Sequence, residues 1–156
     1  MSIFDKILVP IDGNELAQRA ADEAIEYCKR SGCKLTVLYV RPLTPVAHPV
    51  AFGDYFDTEA DTKVFTPAAF RERLIKYGDS LLTAVAEKCK AAGVECETVL
   101  EASDEPHEKI IETAERRGIG MIFMASRGRS SLRSMLLGSE TQKVLSKSKI
   151  PVLVFR

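Results

Sequence analysis

A glycine- and arginine-rich segment near the end of the chain combines residue types that bind phosphate. The segment MASRGRSSLRSMLLGSETQKVL, which starts at Met124, places Gly128, Gly138 and Ser139 before a helix-like stretch. Glycine lets a ligand approach the main chain, and a helix N-terminus offers free N–H groups to an anion. The segment therefore predicts a phosphate-binding loop, to which positive charge would come from Arg127, Arg129 and Arg133.

The same segment also allows a purely structural interpretation. Ser139 and Gln142 have the S-x-x-Q spacing of a capping box, in which the serine caps the helix and the glutamine reaches back. The i, i+3, i+4 spacing of Leu132, Met135 and Leu136 predicts a short helical turn packed on the core. From these residues alone, helix capping and phosphate binding both remain open.

Asp12 is a second polar side chain in a position to meet a ligand. It follows the apolar run KILVPI and begins the turn Asp12-Gly13-Asn14. A carboxylate repels a polyphosphate, so Asp12 suits a ribose hydroxyl or a bridging magnesium or manganese ion better. An aspartate between a strand and a helix is equally typical of a turn or an N-cap. Both roles stay open for Asp12.

The cysteines and histidines predict neither a metal centre nor a redox pair. The four cysteines (Cys28, Cys33, Cys89 and Cys96) contain no C-x-x-C pair, and the chain has only two histidines. We expect the cysteines to be buried free thiols. His107 lies on a charged stretch near the start of a helix, and we expect it to be exposed and inert.

Hydrophobic periodicity predicts strands that alternate with helices. The longest helix is expected to begin at Pro67 and to end at Gly93, and a proline-containing loop at about 41–66 precedes it. A last helix is expected from about Ser139 to Ser146. The predicted strands are Lys6–Ile11, Lys34–Val40, Val94–Leu100, Gly120–Ser126 and Ile150–Phe155.

This alternation specifies an α/β fold in which a parallel sheet is covered by helices on both faces. Ligands of such sheets bind beyond the carboxyl ends of the strands, where the strand order reverses. If the first and fourth strands are neighbours, the loops that contain Asp12 and Gly128 open on the same crevice.

Length and charge exclude several classes of function. A chain of 156 residues suits one domain, and its 22 basic and 22 acidic side chains cancel. We therefore expect no nucleic-acid or membrane partner. No apolar run approaches the roughly 20 residues that span a bilayer, and the N-terminus does not resemble a leader sequence. These features predict a cytoplasmic protein.

The whole pattern resembles the universal stress protein family. The resemblance covers nearly all of the chain, from ILVPIDGNELAQRAADEA through KLTVLYV to the segment that starts at Met124. The nucleotide-binding branch of that family carries G-x2-G-x9-G-[ST]. Here Gly128, Gly138 and Ser139 match this motif, and Ala125 stands at its first glycine.

The resemblance implies a Rossmann-like domain over residues 1–156, with a five-stranded sheet in the order 3-2-1-4-5. It also implies bound ATP or another adenine nucleotide with Mg or Mn. Asp12 and the backbone around Val40 would meet the ribose and adenine, and Asp12 would meet the metal through the bound nucleotide. Phosphates would meet Gly128, Gly138 and Ser139. The complete set of implied nucleotide-binding residues is Pro10, Asp12, Val40, Ala125, Arg127, Gly128, Arg129, Gly138, Ser139 and Glu140.

Three classes of function remain at this point. The first is an ATP-binding regulator of a stress response, without catalytic residues. The second is an enzyme, although the chain has no S-G-G-x-D-S loop, H-x-G-H pair or Walker motif, so we expect slow ATP hydrolysis at most. The third is a nucleotide-free dimeric interaction module, a possibility that Ala125 leaves open.

The last strand predicts a homodimer. In the implied strand order, Ile150–Phe155 lies at a sheet edge, carries apolar side chains on both faces and has only Pro151 to protect it. Two copies of this strand could pair about a two-fold axis.

Overall fold

The fold is built on a five-stranded parallel sheet, as the periodicity predicts. A computed structural model of the chain describes residues 2–43, 66–128 and 136–156. The strand order is β3-β2-β1-β4-β5 and every neighbouring pair is parallel, which confirms the implied order 3-2-1-4-5. The strands are β1 (Lys6–Ile11), β2 (Lys34–Arg41), β3 (Cys96–Ala102), β4 (Met121–Ala125) and β5 (Val152–Phe155), and the described helices are α1 (Glu15–Ser31), α2 (Pro67–Ala92), α3 (Pro106–Arg116) and α4 (Ser139–Lys147).

Two strands begin two residues later than predicted. β3 begins at Cys96 and β5 at Val152. The N–H of Val94 instead donates to the last turn of α2, and the N–H of Ile150 donates to Oγ of Ser148 at 3.0 Å. Because these local bonds engage the N–H groups of Val94 and Ile150, these two residues do not join the strands.

The two faces of the sheet carry separate apolar clusters. Ile7, Val9 and Ile11 of β1 pack with α1 and α2, whereas Leu8 packs with α3 and α4. All four of these side chains are at most 3% exposed. Burial on both faces explains why β1 and β4 have continuous apolar sequences rather than alternating ones.

The expectation of four free thiols is wrong for one pair of cysteines. Cys28 and Cys33 form a disulfide, whereas Cys89 and Cys96 are free. Gly32, which ends α1 with a φ of 75°, turns the chain so that Cys33 returns to the last helical turn. A search for C-x-x-C spacing misses this pairing. The Cys96 thiol donates a hydrogen bond to the sulfur of Cys89, which raises the pKa of Cys96 and keeps it protonated.

The predicted short turn does not pack as expected where the structure describes it. Leu136 is 68% exposed, and Leu132 and Met135 lie outside the described residues. Most of the predicted loop at about 41–66 also lies outside them, as do Arg129 and Arg133. Among the helices that the structure describes, none is both long and apolar enough to cross a membrane.

Candidate functional site

The loops after β1 and β4 meet at the carboxyl ends of the strands. β1 pairs in parallel with β4, with Ile7 beside Met121 and Leu8 beside Ile122. Nδ2 of Asn14 donates to the carbonyl of Gly128 at 3.4 Å, which joins the two loops directly. The prediction that the loops containing Asp12 and Gly128 lie next to each other is therefore confirmed.

A cleft opens between these loops and the N-terminal ends of α3 and α4. Gly138, which is buried, directly precedes α4 and is not among the residues that line this cleft. Of the residues predicted to bind a nucleotide, Arg129 lies outside the described residues. The predicted residues that line the cleft are Pro10, Asp12, Val40, Ala125, Arg127, Gly128, Ser139 and Glu140.

Asp12 has the turn role that the sequence allows, and it also lines the cleft. Its Oδ1 accepts a hydrogen bond from the N–H of Asn14 at 2.9 Å. Asn14 is the N-cap of α1, and its side chain accepts from the N–H of Leu16 at 2.8 Å. Because Asn14 caps the helix, the carboxylate of Asp12 remains at the end of β1, beside Gly128.

The capping-box interpretation of Ser139 is wrong. α4 begins at Ser139 with Gly138 as its N-cap, and no side chain in the described part of the chain caps this helix. Nε2 of Gln142 donates instead to the carbonyl of Leu137 at 3.1 Å. The first N–H groups of α4 therefore do not donate to the capping box that the sequence suggests.

Two hydrogen bonds fix the start of α4 against the end of β4. Oγ1 of Thr141 donates to the carbonyl of Ala125 at 2.9 Å, and the N–H of Gly138 donates to the carbonyl of Ser126. Among the described residues, only glycines have positive φ, so Ala125 adopts an ordinary backbone conformation. An alanine is thus accommodated at this position without backbone strain.

His107 is buried rather than exposed, so the expectation of an inert surface histidine is wrong. Its relative exposure is 2%. Oε2 of Glu140 accepts from the N–H of His107 at 2.8 Å and lies 3.0 Å from its ring Nδ1. The N-cap residue of α3 is Glu105, whose side chain makes no capping bond. Glu140 of α4 therefore caps α3 from another helix.

The cleft also has apolar walls. Tyr39 and Met124, both nearly fully buried, line it together with Ile11 and Ile110. The last residue pair between β1 and β2 joins Ile11 to Tyr39. Val40 follows directly after this pair and borders the cleft. An apolar recess beside a polar helix terminus suits a ligand with a flat apolar part and an anionic part.

Comparison with known proteins decides the family. A model of the universal stress protein family matches residues 3–156. The chain belongs to the universal stress protein family. One relative of this universal stress protein is YxiE of Bacillus subtilis, which is 33% identical over 158 residues that cover 99% of this chain and 100% of the relative.

Solved structures support the same fold. Universal stress protein UspA from Lactobacillus plantarum aligns over 100% of both chains with a TM-score of 0.80 and 22% identity. A universal stress protein in complex with cAMP aligns with a TM-score of 0.65 and 21% identity over 99% of this chain and 98% of its own. The Archaeoglobus fulgidus protein in complex with dAMP gives a TM-score of 0.65 and 20% identity over 99% and 100%.

This universal stress protein also carries a cluster with the spacing of a metal site. The ligand atoms of Glu105, His107 and Glu140 lie within 4.8 Å of one another. However, Nζ of Lys143 lies 3.3 Å from Glu140 and 3.6 Å from Glu105, and Glu140 raises the pKa of this lysine. Nζ of Lys147 is 3.5 Å from Nε2 of His107. The two lysines supply the positive charge that a metal ion would otherwise bring.

The sequence offered one weak signal for this cluster. Glu140 stands in the first turn of a helix, where a carboxylate is favoured by the helix dipole. Its partner His107 is 33 positions away, so only the three-dimensional arrangement shows that this carboxylate serves α3.

Proposed function

We propose that this protein binds an adenine nucleotide, in particular ATP, in the cleft and acts as a cytoplasmic, nucleotide-linked regulator of a stress response. One observation carries the proposal. Three described helices begin at the cleft, and two of them have side-chain caps: Asn14 caps α1 and Glu140 caps α3. The N-terminus of α4 has no side-chain cap in the described part of the chain. Phosphate is the ligand group that an open helix N-terminus favours.

The surroundings of α4 support the same assignment. Gly128 has no side chain to obstruct phosphates that approach the main chain, and Arg127 adds positive charge to the cleft lining. The apolar recess of Ile11, Tyr39 and Met124 would receive the base, and the main chain near Val40 would meet its polar edge. The relatives whose structures hold cAMP and dAMP are consistent with this ligand class.

Asp12 fits the proposed metal ion. Magnesium bound to nucleotides is commonly held by one or two carboxylates together with phosphate oxygens. The Oδ1 atom of Asp12 is engaged by Asn14, and Asp12 lies beside Gly128 in the cleft lining. Asp12 would thus contribute one carboxylate to a Mg or Mn ion carried by the nucleotide, which would offset phosphate charge.

Slow ATP hydrolysis and a nucleotide-free interaction module are two further functions that experiment would distinguish. Asp12 is the general base nearest the proposed phosphates, so we expect slow ATP hydrolysis at most. A nucleotide-free interaction module remains the alternative to nucleotide binding.

We also propose a homodimer through β5. Among the described strands, β5 is an edge strand that pairs with β4 alone, and its Leu153 is 39% exposed.

Analysis of retained ligands tests the proposal. The purified protein is denatured, and the released small molecules are identified by mass spectrometry. An adenine nucleotide at up to one per chain is expected. Protein that purifies empty is dialysed to equilibrium against radiolabelled ATP with magnesium, and the absence of saturable binding would favour the nucleotide-free module. Release of phosphate in the same samples measures hydrolysis.

A further inference from the structure

The contact between Glu140 and His107 joins the N-termini of α3 and α4, two of the three described helices that begin at the cleft. Glu140 lies in the first turn of α4, and its side chain is 31% exposed. His107 lies in the first turn of α3 and is almost fully buried. A bond between a fixed, buried side chain and a partly exposed one restrains the exposed one, so Glu140 is held to α3.

The carboxylate of Glu140 assigns the roles of the two ring nitrogens of His107. A carboxylate can only accept, so the 3.0 Å contact with Oε2 makes Nδ1 the donor. Nε2 is then the acceptor, and it faces Nζ of Lys147 at 3.5 Å. Together with the N–H of His107, Nδ1 gives one carboxylate oxygen two donors from the same residue.

The arrangement also compensates the negative charge of Glu140. A carboxylate in the first turn of a phosphate-binding helix would repel the phosphates if it were free to approach them. Here it accepts two hydrogen bonds at the positive end of α3 and lies beside the ammonium of Lys143. Its negative charge is therefore compensated away from the ligand.

We propose that Glu140 and His107 are positioning residues for the phosphate end of the ligand, an inference that rests on the proposed nucleotide site. The bonds of Thr141 and Gly138 fix the start of α4 to β4, and the bond between Glu140 and His107 fixes it to α3. The pair thereby holds the first N–H groups of α4 toward the cleft and keeps the Glu140 carboxylate from competing with phosphate.

Ligands with and without phosphate separate positioning from general support of the fold. We would compare adenosine, AMP and ATP with magnesium in wild type, Glu140→Ala and His107→Ala. Loss of the Glu140 bonds should weaken AMP and ATP by about 5- to 30-fold, the range expected for a lost helix cap. Adenosine affinity should change by less than about twofold, because adenosine makes no phosphate contact.

Conservative variants give the matched controls. Glu140→Gln keeps an acceptor for His107, and His107→Asn keeps a donor at the place of Nδ1. Both should remain within about threefold of wild type. Glu112→Ala removes an exposed glutamate of α3 that pairs with Lys109 at 2.9 Å, and it should leave all three affinities unchanged. Equal weakening of adenosine and AMP, or no weakening in Glu140→Ala, would overturn the inference.

Hydrogen exchange separates this inference from the proposed function. In ligand-free protein, Glu140→Ala should lower the protection of the His107 amide and of the α4 amides of Gln142, Lys143 and Val144, whereas Glu140→Gln should not. Wild-type protein that binds none of the three ligands would refute the proposed function. Unchanged protection in Glu140→Ala would refute the positioning of α4 whatever the ligand.

Discussion

The position that a Cβ atom on Gly128 would occupy lies 3.2 Å from Oδ2 of Asp12. This distance is tighter than ordinary van der Waals contact, so the carboxylate would have to shift by a few tenths of an ångström to admit a side chain at 128. The closeness of the two residues shows that the loops after β1 and β4 lie against each other. It also explains the glycine at 128 without any special backbone conformation.

Gly128→Ala should therefore weaken nucleotide binding while leaving the fold intact. The added methyl group meets Asp12 and narrows the approach to the main chain. We expect affinity for ATP to fall by about fivefold or more, in line with an overpacking cost of about 1 kcal/mol. Calorimetric titration measures the affinity, and a thermal melt checks the fold. An affinity equal to wild type would show that the ligand does not approach Gly128.

Ala125→Gly should keep or strengthen ATP affinity. The substitution removes a methyl group from the cleft lining at the first position of the family's glycine motif, and Ala125 does not require a positive φ. Any cost should appear in stability, at roughly 0.5–1 kcal/mol for a glycine in a strand. Titration and a denaturant melt separate the two effects. A clear loss of affinity would mean that the methyl group contacts the ligand favourably.

Gly78→Ala should destabilise the protein although it lies within α2. An alanine normally stabilises a helix relative to glycine. At Gly78, however, a Cβ would lie 2.4 Å from Cδ1 of Tyr39 and 2.9 Å from Cδ1 of Leu100. We expect the free energy of unfolding to fall by about 1–3 kcal/mol. Because Tyr39 lines the cleft, ATP affinity should fall as well. A more stable variant in a urea melt would contradict this packing.

The element order was predictable from the sequence because both periodicities are local. Apolar runs such as that from Lys6 to Ile11 and helical stripes such as that of α2 are set by neighbours along the chain. The ends of the helices and strands were less predictable, because single hydrogen bonds determine where an element begins or ends. The N–H of Val94, for example, is engaged by α2 and delays β3.

The candidate site was predictable only in part. Its glycines, Asp12 and the start of α4 follow from strand order and motif spacing. The roles of Ser139 and His107 did not follow from the sequence. The role of Ser139 depends on where tertiary structure places the start of α4, and that of His107 depends on residues distant along the chain. Ser139 looks like a cap by its spacing, but the chain places Gly138 at that position. His107 is buried because Glu140 and Lys147 of α4 lie against it.

The edge strand gives a prediction about assembly. Val154→Asp places a charge on β5 and should shift a dimer toward monomer, because a charge on an edge strand opposes pairing with another chain. Light scattering at micromolar concentration measures the shift. Thr98→Asp provides the control, since Thr98 is exposed on β3 at the opposite edge of the sheet. Wild type that is monomeric, or a dimer equally stable in Val154→Asp, would contradict the proposed interface.

Calorimetric titration of nucleotide-free protein with ATP and magnesium, in wild type and Gly138→Val, tests the central claim most directly. Gly138 is the N-cap of α4 with a φ of −69°, which valine also adopts, so the backbone conformation permits the substitution. Its side chain would stand at the open helix N-terminus and exclude the phosphates. We predict one saturable site per chain in wild type and at least a tenfold loss of affinity in a variant that still melts cooperatively. No saturable binding by wild type, or equal affinity in a folded Gly138→Val, would contradict the assignment of the α4 N-terminus as the phosphate site.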